Sequence, residues 1–265
     1  MNYWTSQSIE IANQRDYLDQ LFKVYPLSQN LKRELSETTI SLLKKYYNQK
    51  DNQELINILL SLELFPIKDS YVAYLKRDRT AIERNPKTIN RLAGLMYELG
   101  FDKMIENCTL PKETNRQIGP MFKAWIDKGY LGIDIARTVD AFADNDNDMI
   151  LNMSDTEMMN FASAYFEYDR DKGIDFIARV NKKFVIAEAK FLTDYGGHQN
   201  AQFSDAISTL QARYNSIDGH PVLPMSILDG VLYISSNNKM FNYLVNNEDK
   251  TIVSALLLRE YLYSL

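Results

Sequence analysis

The sequence predicts an α/β or α+β fold whose first half is mainly helical. Apolar residues recur at helical spacing through the first hundred residues. Two short segments, GIDFIARV at residues 173–180 and KFVIAEAKF at residues 183–191, have the composition of β-strands. After these two segments, the spacing of apolar residues predicts a helix, a strand and a further helix. This alternation favours a sheet flanked by helices.

Four helices are predicted in the first half. Apolar periodicity indicates three of them, within residues 9–22, 31–43 and 55–62. A fourth is predicted over residues 88–99, with Gly100 as its C-terminal cap. The segment FPIKDSYVAYLKRD, residues 65–78, is ambiguous by pattern.

The second half alternates helices and strands. Ser154 and Glu157 have the spacing of a capping box, in which two side chains bind each other's backbone N–H groups at the start of a helix. Asn181 and Lys182 stand between the two strand segments as a tight turn, which predicts a β-hairpin. After the next helix we expect a buried strand at GVLYIS, residues 230–235, and a closing helix within residues 251–265.

Composition and charge exclude several classes of protein. The single cysteine, Cys108, rules out a disulfide framework and a CxxC zinc site. No apolar run approaches 18 residues and the N-terminus has no secretory signal, so we expect no membrane segment and a cytoplasmic protein. The net charge of −5 argues weakly against a protein that coats nucleic acid. Residues 68–91, however, carry seven Lys and Arg against three Asp and Glu, which is enough for local contacts with phosphates.

The predicted hairpin brings together three charged side chains. Side chains alternate between the two faces of a strand, so Glu188 and Lys190 project from the same face. Asp175 lies about as far before the turn as Glu188 lies after it. If the strands pair around Asn181 and Lys182, two carboxylates and one ammonium converge at the open end of an apolar hairpin.

This arrangement suits metal-assisted hydrolysis of a phosphodiester. Two half-buried carboxylates repel each other unless a cation lies between them. Mg²⁺ prefers such oxygen ligands, and Lys190 would add a charge beside the attacking water or the phosphate. Glu157 or Glu167 could supply a further ligand. The alternative is structural, because Glu-x-Lys is a common triplet and cross-strand charge pairs occur in many sheets.

The same residues resemble a known nuclease motif. Gly173-Ile174-Asp175, followed by Glu188-Ala189-Lys190, is similar to the PD-(D/E)xK motif, with Ile174 where the family name has Pro. The stretch EAKFLTDYGGHQNAQFSDAI resembles type II restriction endonucleases, in which a Gly- and Gln-rich segment and a helix follow the catalytic strand and face the DNA. The resemblance covers about residues 166–235.

The resemblance implies a Mg²⁺-dependent, sequence-specific double-stranded DNA endonuclease that acts as a homodimer. Asp175, Glu188 and the backbone carbonyl of Ala189 would bind the metal, and Lys190 would lie at the attacking water. The implied fold is a restriction-endonuclease-like core with a central mixed β-sheet flanked by helices, at residues 111–265. A mainly helical N-terminal region, residues 1–110, would contribute to DNA binding, although one continuous domain stays open. A cognate DNA methyltransferase is the expected functional, not physical, partner.

Amide side chains after the hairpin are the first candidates for reading bases. Asn and Gln can make paired hydrogen bonds to adenine, and Asp can accept one from cytosine. The candidates in this segment are His198, Gln199, Asn200, Gln202 and Asp205. A polar loop adds Lys112, Asn115 and Arg116. The phosphate candidates are Arg77, Arg79, Arg84, Lys87 and Arg91. For each set the alternative is an ordinary polar cap, loop or solvated helix face.

Two other functions stay open at this point. A repair or structure-specific nuclease could use the same core, although it would have little use for base-reading amides. A non-catalytic DNA-binding module could share the fold, although it would not need the complete Asp, Glu and Lys set.

Overall fold

A computed structural model of the protein describes residues 1–26, 33–111, 117–144, 146–217 and 219–265. The chain divides into two compact units. The helical unit is Ser28–Glu113, and the sheet unit comprises Met1–Leu27 and Thr114–Leu265. Helices α1 (Tyr3–Ala12) and α2 (Tyr17–Val24) thus belong to the sheet unit, although both lie within the sequence-defined region 1–110.

The helical unit is built from short helices around one apolar core. Its helices are α3 (Glu37–Gln49), α4 (Asn52–Ser61), α5 (Ser70–Arg77), α6 (Ala81–Arg84), α7 (Pro86–Leu99) and α8 (Phe101–Cys108). Ser36 and Asp51 cap α3 and α4 by accepting backbone N–H groups of their first turns. Leu43, Leu59 and Met96 are fully buried in the core that these helices share. The helices predicted around residues 55–62 and 88–99 are confirmed, and the ambiguous segment 65–78 contains α5.

The sheet unit alternates short strands and helices. Its elements after α2 are α9 (Ile118–Asp127), β1 (Asp134–Ala136), α10 (Val139–Ala143), β2 (Met149–Leu151), α11 (Asp155–Phe166), β3 (Phe176–Val180), β4 (Lys183–Leu192), α12 (Gly197–Leu210), β5 (Val222–Gly230), α13 (Lys239–Asn246), β6 (Ile252–Val253) and α14 (Leu258–Tyr263). The strands stand in chain order, with β2–β3 and β3–β4 antiparallel and the other pairs parallel. This mixed sheet flanked by helices confirms the predicted fold class. No helix in the described ranges is long and apolar enough to span a bilayer.

Helices cover both faces of the sheet. Ile177 and Ile186 pair across β3 and β4 and pack with Phe161 of α11. Val185 points to the opposite face and packs in the cluster that contains Phe122 of α9. Strands buried on both faces have nearly continuous apolar sequences, as β3 and β4 do. A charged side chain within such a strand therefore requires a specific partner.

The predicted hairpin is confirmed. Asn181 and Lys182 form its two-residue turn with φ of 47° and 60°, the left-handed conformation that such tight turns require. Asp148 accepts the backbone N–H of Asn181 at 2.7 Å and so ties the turn to the start of β2. The resulting register places Phe176, the first residue of β3, opposite Ala187 and carries β4 five residues past it, to Leu192.

Two predictions near the C-terminus are wrong in detail. The expected strand at residues 230–235 is instead the end of β5 at Gly230 and a 3₁₀ helix at Val231–Tyr233. Gly230 adopts φ of 102°, and a Cβ there would meet the carbonyl oxygen of Leu192 at 2.0 Å, so the chain turns where a non-glycine residue could not. Residues 251–265 hold β6 and a 3₁₀ helix before α14, which is shorter than the closing helix predicted.

Candidate active site

The cluster of charged side chains lies where β4 continues past Phe176, the first residue of β3. Asp175 immediately precedes β3, and its backbone N–H donates to the carbonyl of Ala187 at 3.2 Å. Glu188 and Lys190 stand on β4 beyond this point. On its other side β4 pairs with β5 as far as Leu192, so this part of the strand is held by one neighbour only. The free edge gives the side chain of Asp175 access to β4.

The structure brings Asp175, Glu188 and Lys190 into direct contact. The Nζ atom of Lys190 lies 3.0 Å from Oδ2 of Asp175 and 2.9 Å from Oε1 of Glu188. The backbone N–H of Ala189 also donates to Oδ2 of Asp175, at 2.8 Å. Asp175 and Glu188 are each only 5% exposed, whereas the side chain of Lys190 is 25% exposed. The cluster is therefore two buried carboxylates with an ammonium at their solvent side.

The ammonium balances the charge of the buried carboxylates. Burial lowers the pKa of Lys190, but the charges of Asp175 and Glu188 outweigh burial and hold this pKa above its ordinary value. Lys190 is therefore protonated at neutral pH. Its Nζ occupies the position between the two carboxylates that a bound cation would share.

The oxygen atoms at this position fit a divalent cation. Asp175 and Glu188 supply carboxylate oxygens, and no described group donates a hydrogen bond to Oδ1 of Asp175. The N–H and C=O groups of one strand residue point to the same side, so the carbonyl of Ala189 faces the edge where its N–H meets Asp175. Hard oxygen donors of this kind suit Mg²⁺. Within the described ranges, no three His, Cys, Asp or Glu side chains converge.

The structure places Glu157 and Glu167 elsewhere. Glu157 accepts the backbone N–H and the hydroxyl of Ser154, which makes the predicted capping box of α11. These hydrogen bonds lower the pKa of Glu157. Glu167 is exposed and accepts the amide of Asn215 at 2.6 Å. Neither side chain contacts Asp175 or Glu188.

The candidate base readers on α12 have different surroundings. Gln199 is buried, and its Oε1 accepts the backbone N–H of Thr193 at 3.1 Å, so this oxygen is engaged within the chain. Asn200 donates to the carbonyl of Tyr195 at 2.6 Å. His198 is exposed and lies 3.2 Å from the Nε2 atom of Gln202.

Asp205, the last of the candidate base readers on α12, is half-buried and forms an ion pair with Lys172. His198 is thus the exposed member of this set, and Gln202 is half-buried beside it. Gln199, Asn200 and Asp205 are bound to other parts of the chain.

The basic segment of the helical unit is exposed but partly neutralised. Arg84 pairs with Asp78 at 2.5 Å, and Arg91 pairs with Asp69 at 2.7 Å. Arg79 donates to the carbonyl of Asn57. Arg77 and Lys87 are exposed, and no described residue forms an ion pair with them. Lys112, Asn115 and Arg116 lie outside the described residues.

Sequence reasoning missed one residue of the cluster. Thr209, on the last turn of α12, donates its hydroxyl to Oε2 of Glu188 at 2.8 Å. It lies 21 residues along the chain from Glu188, and no motif links the two positions. The one local signal is a polar residue between Ile207 and Leu210 on the buried side of a helix.

A comparison with protein families identifies the chain. The family model of the Tsp45I type II restriction enzyme matches residues 2–265. No curated protein and no solved structure gives a significant match. Because the match spans nearly the whole sequence, the chain belongs to the Tsp45I family of type II restriction enzymes, which are site-specific deoxyribonucleases of restriction–modification systems.

Proposed function

We propose that Asp175, Glu188 and Lys190 form the Mg²⁺-dependent centre with which this restriction enzyme hydrolyses double-stranded DNA. One observation carries the proposal: an ammonium lies 2.9 Å and 3.0 Å from two carboxylates that are each 5% exposed. Burying two like charges is costly, and it is expected where a site must bind cations. The family supplies the DNA substrate, and this cluster supplies the chemistry that its hydrolysis needs.

Each residue has a defined task in this proposal. Asp175, Glu188 and the carbonyl of Ala189 supply the oxygen ligands of the metal. When bound, Mg²⁺ would polarise the scissile phosphate and make the attacking water more acidic. Lys190 orients that water by a hydrogen bond and stabilises the negative charge that develops on the phosphate. In the metal-free protein the charges of Asp175 and Glu188 hold the pKa of Lys190 above its ordinary value despite burial. In this proposal Lys190 acts as a hydrogen-bond donor and a positive charge.

DNA contacts are proposed for two regions. On α12, His198 is exposed and Gln202 is half-buried beside it, and this pair is proposed to contact base edges first. Gln199, Asn200 and Asp205 would have to exchange partners elsewhere in the chain to do so. Phosphate contacts are assigned to the basic residues of the helical unit, with Arg77 and Lys87 first because no described residue pairs with them. The loop residues Lys112, Asn115 and Arg116 remain proposed readers.

The proposal extends to the biological setting of the enzyme. A double-strand cut at a symmetric site is most simply made by a homodimer, whose two-fold axis matches that of the DNA. A cognate methyltransferase would protect the host genome at the same sites. The DNA substrate also favours the cytoplasm as the place of action.

Digestion of a plasmid of known sequence tests the proposal. The purified protein is expected to cut it into discrete fragments with Mg²⁺ and not with EDTA, and sequencing of the cut ends gives the recognition site. Glu188→Gln is expected to bind the same DNA and to lose cleavage. Glu167→Gln is the matched control, because Glu167 is exposed and its carboxylate accepts a hydrogen bond from Asn215, which is not part of the cluster. Cleavage by Glu188→Gln at the wild-type rate would refute the proposed metal centre, although the family assignment would stand.

A further inference from the structure

The two oxygens of the Glu188 carboxylate have different partners. Oε1 lies 2.9 Å from Nζ of Lys190, on the side of Asp175. Oε2 accepts the hydroxyl of Thr209 at 2.8 Å. Thr209 is only 1% exposed, so this hydrogen bond is shielded from water. A hydrogen bond to a charged acceptor in such surroundings is stronger than one between neutral groups.

The hydroxyl of Thr209 also has a local alternative. Threonine in a helix commonly donates to the carbonyl four residues earlier, which here belongs to Asp205. That oxygen lies 3.4 Å away, against 2.8 Å for the Glu188 carboxylate. Since a hydroxyl has one proton and the carboxylate is both nearer and charged, the donation goes to Glu188.

The backbone that carries Thr209 is fixed independently of this hydrogen bond. Tyr214 donates its hydroxyl to the carbonyl of Thr209 at 2.8 Å. Ser226 stands beside Glu188 in the β4–β5 ladder and donates to the carbonyl of Ala206 in α12 at 3.1 Å. The helix is thus anchored beside the position of Glu188, and the hydroxyl is held in place before any ligand binds.

We infer that Thr209 is a positioning residue for Glu188. By holding Oε2, it turns Oε1 toward Asp175 and Lys190, where the proposed metal would bind. Without the hydroxyl, Oε2 would lose the hydrogen bond that now holds it, and the carboxylate could rotate about its last torsion. The inference rests on the proposed function, because it assigns Thr209 a role through Glu188 and none in contact with DNA or the reacting atoms.

Metal binding and metal dependence test the inference together. Thr209→Val removes the hydroxyl at nearly constant shape, and Thr209→Ser keeps it. Thr5→Val is the matched control, since Thr5 is equally buried and its hydroxyl donates to the carbonyl of Ile252 at 3.0 Å, away from the cluster. Binding of Mn²⁺ is measured from the electron paramagnetic resonance signal of the free ion, and the Mg²⁺ concentration for half-maximal cleavage is measured on plasmid DNA.

The expected result is a selective loss of metal affinity. Thr209→Val should weaken Mn²⁺ binding and raise the half-maximal Mg²⁺ concentration, each by about tenfold, as is typical when the hydrogen-bond partner of a metal ligand is removed. Thr209→Ser should stay close to wild type in both. Thr5→Val should lower the melting temperature without changing either metal measurement. If Thr209→Val does not fold, Thr209→Ala is compared with Thr209→Ser in the same way.

Two results would overturn the inference. One is wild-type Mn²⁺ affinity and Mg²⁺ dependence in Thr209→Val. The other is an equal loss in Thr209→Val and Thr5→Val, which would be a general effect of deleting a buried hydroxyl. Glu188→Gln separates this inference from the proposed function. If Glu188→Gln is inactive while Thr209→Val behaves as wild type, the inference about Thr209 fails alone; if Glu188→Gln cleaves normally, the proposed function fails first.

Discussion

Replacing Lys190 with alanine should destabilise the metal-free protein more than an ordinary loss of an ion pair would. With an effective dielectric constant of about 20, opposite unit charges 2.9 Å apart attract each other by roughly 6 kcal/mol. Much of this attraction only offsets the cost of burying the charges. Removing one partner of a buried charge cluster nevertheless costs about 3–5 kcal/mol, because the remaining charges stay buried and unpaired.

Thermal unfolding in EDTA and in Mg²⁺ measures this effect. Lys190→Ala is expected to lower the melting temperature in EDTA by roughly 10 °C, from the relation between stability and melting temperature for a domain of this size. Since Mg²⁺ neutralises the same carboxylates, it should stabilise Lys190→Ala more than wild type. DNA cleavage should fall by about 100-fold or more, because the group that orients the attacking water is lost.

Lys172→Ala is the matched control for this experiment. Lys172 forms an ion pair with Asp205 in which both side chains are more than 40% exposed, and such pairs contribute at most about 1 kcal/mol. If Lys190→Ala and Lys172→Ala melt at the same temperature in EDTA and respond equally to Mg²⁺, the carboxylates are not charged and buried as described. Cleavage by Lys190→Ala at the wild-type rate would refute its proposed role.

Three further predictions concern positions outside the cluster. In Gly173→Ala the new Cβ would lie 2.7 Å from Cβ of Asp155, so the segment that leads into β3 must shift and plasmid cleavage should fall, whereas Gly94→Ala, with open space around it, should cleave normally. Equal activity of the two variants would contradict this. Burial raises the pKa of Asp229 to about 6 from its ordinary value of 3.8. The folded protein then holds this proton more tightly than the unfolded chain does, so stability should fall by about 3 kcal/mol as the pH rises from about 4 to 6. Asp229→Asn should remove that fall from the pH profile of the melting temperature, and an unchanged profile would argue against it. Burial also raises the pKa of the Cys108 thiol to about 12, so iodoacetamide at pH 8 should label it only after unfolding; rapid labelling of the folded protein would disprove this.

The charged cluster could be predicted from the sequence because its geometry is local. Asn181 and Lys182 define a two-residue turn, and such a turn leaves one register for the strands beside it. Alternation along β4 then places Glu188 and Lys190 on one face, and the register brings Asp175 level with them. The convergence of these three side chains can therefore be predicted from the hairpin and from Asp175, the residue before it, without any contact to other segments.

Interactions between distant segments are what the sequence could not provide. Gln199 has the residue type of a base reader, yet its oxygen binds the N–H of Thr193, a contact that depends on how the chain leaves β4. Thr209 contacts Glu188 only because α12 lies across β4 and β5. Both contacts depend on how helices pack on the sheet, and residue type alone does not carry that information.

The fold shows the same limit. Strands β1 and β2 have three residues each, which is too few for an alternating pattern. They are stabilised by pairing with each other, and β2 also pairs with β3. Pro224 lies within β5, although proline cannot donate a hydrogen bond to a neighbouring strand. It is tolerated because β6 pairs only with Ser226 and Ile227, which leaves β5 at the edge of the sheet around the proline.

The most direct test of the proposed centre is a crystal of the protein with Mn²⁺ and its anomalous scattering. An anomalous peak is expected within roughly 2.0–2.6 Å of a carboxylate oxygen of Asp175 and of Oε1 of Glu188, with Nζ of Lys190 displaced from its present position between them. A peak at other residues, with Lys190 still bridging the two carboxylates, would contradict it.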